Sequence, residues 1–163
     1  MGFETNLTRW MLLDWAMVLV IVWLLIGLAG VWALRRFELV SHVLFPLGGA
    51  VGVVLAGVAL AALFAPPQVA VLAIGLPTLP FHLRLDALSA YFLMVIGATA
   101  AGVSAFAAGY FRHGEGTPPG LMCLQYHVFL ASMAGVVLAD DAYAFMVMWE
   151  TMALSSYFLV TSN

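Results

Sequence analysis

The chain is 163 residues long, 65% of them hydrophobic, with a mean hydropathy of +1.10 and only 8% charged residues. A soluble domain carries about a quarter charged residues, so this composition excludes a water-soluble globule and requires lipid or other apolar subunits as solvent. All five cations are arginine (Arg9, Arg35, Arg36, Arg84 and Arg112), and eight acids bring the net charge to −3, which offers no basic surface to nucleic acid.

Five apolar runs of bilayer length follow one another: Trp15 to Leu34, Val43 to Phe64, Ala87 to Phe111, Leu121 to Leu138 and Tyr143 to Val160. A span needs about 20 apolar residues, so the reading is an all-α polytopic membrane protein, one transmembrane domain over residues 1–163. The first run is too long for a signal peptide, is flanked by Glu4 and Asp14, and ends in Arg35 and Arg36 rather than a cleavage site. The stretch Pro66 to Asp86 is broken by Pro66, Pro67, Pro77 and Pro80, and its apolar piece VAVLAIGL is too short to span. It is expected to form a short hairpin on the outer face or against another subunit. Residues Arg112 to Gly120 (RHGEGTPPG) have turn chemistry. Only Ala139 to Ala142 separate the last two spans, which makes them an antiparallel pair.

Small residues recur every four positions in the third span (Gly97, Ala101, Ala105, Gly109) and in the second (Gly48, Gly52, Ala56), a pattern of close helix packing in lipid. Trp10, Trp15 and Trp32 lie near span ends as interfacial anchors. His42, His82 and His113 fall in or beside loops, with no metal-ligand spacing. Cys123 has no partner cysteine, so neither a disulfide nor a sulfur metal site is available. Asp140 and Asp141 read as caps of the fifth span. Arg35, Arg36 and Arg112 share one side, Arg9 and Arg84 the other. Arginine excess marks the cytoplasmic side, so the N-terminus is expected outside.

Within the five cores the one side chain with a full charge is Glu150, eighth of the eighteen residues of the last run and so roughly 10 and 15 Å from its two ends. An acid at that depth costs on the order of 2.5 to 3.5 kcal/mol on insertion scales and usually faces protein or a water-filled path. Desolvation favours the neutral acid and a cationic or hydrated neighbour the carboxylate; a carboxyl between those influences can carry a proton. The chain contains no lysine, so a basic partner has to come from elsewhere. His127 sits about 9 Å from the cytoplasmic end of the fourth span, and Ser132 at about the depth of Glu150. Both are candidates for a proton path beside Glu150, although a lone histidine is more often a neutral hydrogen-bonded group. No phosphate loop, nicotinamide or quinone fingerprint or nucleophile elbow is present, so no cofactor or metal is expected.

The strings Leu83 to Leu93 (LRLDALSAYFL), Gly109 to His113 (GYFRH) and Phe129 to Val160 (FLASMAGVVLADDAYAFMVMWETMALSSYFLV) resemble the antiporter-like proton-translocating subunits of complex I and the membrane-bound hydrogenases, above all those of the hydrogenase-4 and formate hydrogenlyase type. The likeness implies that Glu150 matches the proton-pathway glutamate of the fifth helix. It also implies an outward hairpin before the third span, an outside N-terminus, and other membrane subunits as partners within a bacterial inner membrane. It covers nearly the whole chain but the first third or less of a family member, so a fragment or split product is expected, without the later lysine helix. The leading expectation is a proton-translocating component of a redox-driven complex whose cofactors lie in other subunits. A structural or assembly subunit and a small single-glutamate exporter are the alternatives.

Overall fold

The computed structural model describes residues 12–76, 78–110 and 116–162. The expectations that concern Glu4, Arg9, Trp10, Pro77, Phe111, Arg112 and His113 lie outside the described residues. Five helices are long and apolar enough to cross a membrane: α1 Leu12–Trp32, α2 Phe37–Ala62, α3 Ala87–Tyr110, α4 Pro119–Leu138 and α5 Ala142–Val160. At 1.5 Å per residue they are about 28 to 39 Å long, enough for a hydrocarbon core of about 30 Å. The chain is an integral membrane protein.

Helix α2 begins six residues before the expected Val43, because hydropathy reads the interfacial residues Glu38 and His42 as loop. They are helical instead, and pair across one turn at 3.1 Å. His42 therefore belongs to a span and not to a loop. Residues Val40–Leu44 form a π-turn, with Phe45 N–H donating to Val40 O. Pro46 follows directly and cannot donate to the carbonyl four residues back, and its ring would crowd that carbonyl in a regular α-turn. The wider π-turn relieves this, and Ser41 on it donates to Ala108 O of α3 at 2.7 Å.

In lipid no hydrophobic force separates helix from solvent, so backbone approach and hydrogen bonds decide packing. A Cβ on Gly52 would lie 2.7 Å from Gly97 O, and one on Gly97 would lie 2.5 Å from Gly52 O. The two glycines thus mark the closest approach of α2 and α3. The four-residue stripe in α3 does not persist along the interface, however. Successive fourth residues drift about 40° around a helix, so the buried line runs Gly97, Ala100, Ser104, Ala107, while Ala105 and Gly109 are exposed. Helix α4 is central. It meets α1 where Gly30 approaches Gly120 and Cys123, meets α5 where Gly135 approaches Met148, and meets α3 where Tyr126 OH donates to Ala100 O at 3.2 Å.

Strands β1 Gln68–Leu76 and β2 Leu79–Leu85 pair antiparallel. Phe81, Leu83 and Leu85 turn inward and are buried, the alternation a one-sided strand requires. The hairpin rests on this chain's own helices: Leu13 N–H donates to the Gln68 side chain at 2.9 Å, and Leu83 bridges Ala139 in the α4–α5 turn.

Replacing Gly97 by Ala should destabilise the protein by about 1 to 3 kcal/mol through overpacking against backbone. Gly102→Ala, where a Cβ would meet nothing within 4 Å, should be neutral or stabilise by up to about 1 kcal/mol. Denaturant unfolding in detergent micelles, followed by helical circular dichroism, distinguishes the two.

Candidate functional site

Helix α5 carries Glu150 and has the least buried span, 11% of its hydrophobic window against 44% for α4. Only Ala144 and Ser155 are fully buried on it. Glu150 itself is exposed, on a face that the described residues leave open, beside exposed Trp149 and Leu154. The ion pairs among the described residues are His42–Glu38, His82–Asp141 and Arg84–Asp86, and Glu150 joins none of them.

The other two path candidates, His127 and Ser132, lie on α4. His127 is fully buried on the side of α4 that faces α1 and α2. Its Nδ1 donates to Cys123 O at 2.8 Å, and the other ring nitrogen is Nε2. That atom has no hydrogen-bond partner among the described residues and abuts Gly48, where any Cβ would collide with it. The same glycine accepts from Trp23 Nε1 at 3.0 Å, so α1, α2 and α4 meet at this point. Ser132 donates to Val128 O of its own helix at 2.7 Å. With Thr151 it lines an apolar groove of about 720 Å³ between α1, the hairpin, α4 and α5. Thr151 also bonds its own backbone, at Val147 O. Among the described residues, then, the three expected path residues are not assembled into one chain. His127 Nδ1 and the Ser132 hydroxyl bond within α4, and Glu150 is exposed on α5.

The start of α5 is built as expected and then further. Asp141 caps it, with Oδ1 accepting from Ala144 N–H at 2.7 Å. Its Oδ2 accepts from His82 N–H at 2.8 Å and from His82 Nδ1 at 2.9 Å. The Ala144 N–H, then the donors of His82, hold the Asp141 carboxyl below its ordinary value. Asp86 caps α3 through Ser89 N–H at 2.9 Å, and that bond, with Arg84 close by, lowers its pKa too. The His82–Asp141 contact spans 59 residues of sequence and has no local signal. No cluster of three or more metal-ligating side chains occurs among the described residues.

Five membrane helices, a hairpin seated on the α4–α5 turn and one acidic group midway along an open helix define a polytopic membrane protein. No family model matches the sequence. Hydrogenase-4 component B of Escherichia coli K12 is 34% identical over 161 residues, covering 93% of this chain and 22% of that protein. A Staphylococcus epidermidis protein named as antiporter subunit mnhA2 is 32% identical over 95 residues, 55% of this chain and 12% of its own length. Among solved structures, a chain of the Mrp complex from Dietzia sp. DQ12-45-1b matches with a TM-score of 0.63 and 28% identity, covering 87% of this chain and 16% of that one. Over nearly its whole length the chain is similar to hydrogenase-4 component B, and it shares its fold with part of a chain of the Mrp complex. It spans between 12% and 22% of the length of these relatives.

Because its native pKa is lowered, Asp141 contributes stability that is fully present above its unfolded value of 3.8 and lost as pH falls through the lower native one. Asp141→Asn should therefore flatten the acid limb of the stability curve, leaving the share due to Asp86. Thermal unfolding in detergent between about pH 5 and 2 measures the difference.

Proposed function

We propose that the chain is a proton-translocating membrane component of a redox-driven assembly of the hydrogenase-4 or complex I-like type, with Glu150 as the proton carrier. One observation carries this reading: an ionisable group stands midway along a membrane helix, on a face the described residues leave open. Left in hydrocarbon it costs on the order of 2.5 to 3.5 kcal/mol, and such groups ordinarily face protein or a hydrated path. The open face of α5 is thus the surface on which other membrane segments of the assembly belong. Glu150 joins none of the ion pairs among the described residues, so in this reading the cation that favours the carboxylate state comes from those segments. The match at Glu150 to the pathway glutamate of the resembled family gives the same assignment.

In this reading the N-terminus lies outside a bacterial inner membrane, in keeping with the arginine distribution. The carrier role is assigned to Glu150 alone. His127 and Ser132 are given packing roles, since their hydrogen bonds go to their own helix.

Glu150→Gln should abolish coupled proton movement in membranes that hold the complete assembly, while the assembly itself still forms. Pumping at the wild-type rate in that variant overturns the carrier role. A silent Glu150→Gln together with an assembly defect in Glu150→Leu would assign the residue to interhelical adhesion instead.

A further inference from the structure

We propose that Asp141 and His82 form a positioning joint that fixes the depth and rotation of α5 and so places Glu150; the functional part of this claim rests on the carrier reading above. A single carboxylate holds both sides of the joint. One oxygen caps α5 through Ala144 N–H, and the other accepts both the backbone and the ring N–H of His82 on β2. Asp140 N–H returns to His82 O at 2.9 Å, and Phe81 meets Tyr143 edge to face at 5.4 Å. The hairpin is itself referred to α1 by the Gln68 side chain. Through this short path the first turn of α5 is fixed to the body of the bundle.

The restraint matters because α5 packs mainly along a single helix, α4, and otherwise meets the hairpin. Ala144 and Ser155 are buried on it, and Met148 approaches Gly135 of α4; Met148 is a flexible side chain. At the far end Thr117 Oγ1 donates to Ser162 O, which gives a pivot. Glu150 lies nine residues beyond Asp141, about 13.5 Å along the axis and two and a half turns around it. The carboxyl therefore stands on the opposite side of the helix from the joint, where a rotation of α5 moves it most directly relative to any partner.

The test uses the whole chain in lipid nanodiscs on a Cys123→Ala background, with spin labels at Val71→Cys on β1 and Tyr157→Cys on α5, both exposed sites. Pulsed dipolar spectroscopy should give one narrow label-to-label distribution in the parent. Asp141→Ala should widen it about twofold or more by releasing a sparsely packed helix. His82→Leu, which keeps the backbone bonds and the cap, should widen it less, and His82→Asn should restore it by placing an amide N–H where Nδ1 stood. The His82 pair stands as the deciding comparison should Asp141→Ala fail to fold. Identical distributions in His82→Leu, His82→Asn and the parent overturn the joint. In membranes with the complete assembly, His82→Leu should lower proton movement on the order of tenfold, as misplacement of a reacting group does, and His82→Asn should recover it. A widened distribution with unchanged proton movement overturns the placement of Glu150 by the joint. A silent Glu150→Gln overturns the carrier reading and leaves the label distances as an independent measure of the joint.

Discussion

The fold is governed by the cost of an unsatisfied polar group in hydrocarbon. Hydroxyls within the spans answer it in two ways. Ser132, Thr151 and Ser155 bond to their own helices, while Ser41, Ser89 and Tyr126 bond across to neighbouring backbone. The ion pairs lie at or beyond the helix ends, Glu38 with His42, Arg84 with Asp86, and Asp141 with His82. Glu150 stands outside this scheme. It is an acidic group midway along a span that joins no ion pair among the described residues, and that makes the face of α5 functional in the reading proposed here.

The same solvent dictates how the helices touch. Lipid tails are as apolar as leucine, so helices gain by excluding lipid only when their backbones come close enough for dense contact. Glycine supplies that closeness at Gly52 and Gly97, at Gly30 and Gly120, and at Gly48 beneath the ring of His127. The last case gives the histidine a physical role that needs no titration. Its ring fills the notch left by a missing side chain, and Trp23 closes the notch from α1 through the Gly48 carbonyl.

Much of the architecture was legible in the sequence because bilayer thickness fixes span length. All five spans lie where the apolar runs stand, and the turn between α4 and α5 differs from its expected limits by one residue. The Asp141 cap was legible as well, being local chemistry. The inward face of each helix was not, since a helix solvated by lipid is apolar all round and its periodicity carries no sign of inside or outside. For that reason the four-residue stripe of α3 identified a close-packed helix but not its buried line. The sequence also located Glu150 in depth without revealing its face. Contacts such as Trp23 with Gly48 and His82 with Asp141 join residues 25 and 59 positions apart, and no spacing rule connects them.

Helix α5 is where these constraints meet. It is tied at one end through Asp141 to the hairpin, at the other through Ser162 to the loop before α4, and packs between them along α4 with one face exposed. A helix buried along its whole length would have no face to offer a partner, and one free at both ends could not hold a carboxyl at a fixed depth. A carrier that exchanges protons with groups on other segments needs both properties, a fixed position and an open side. Restraint at the ends with exposure in the middle supplies them together, with Glu150 at the centre of the exposed stretch.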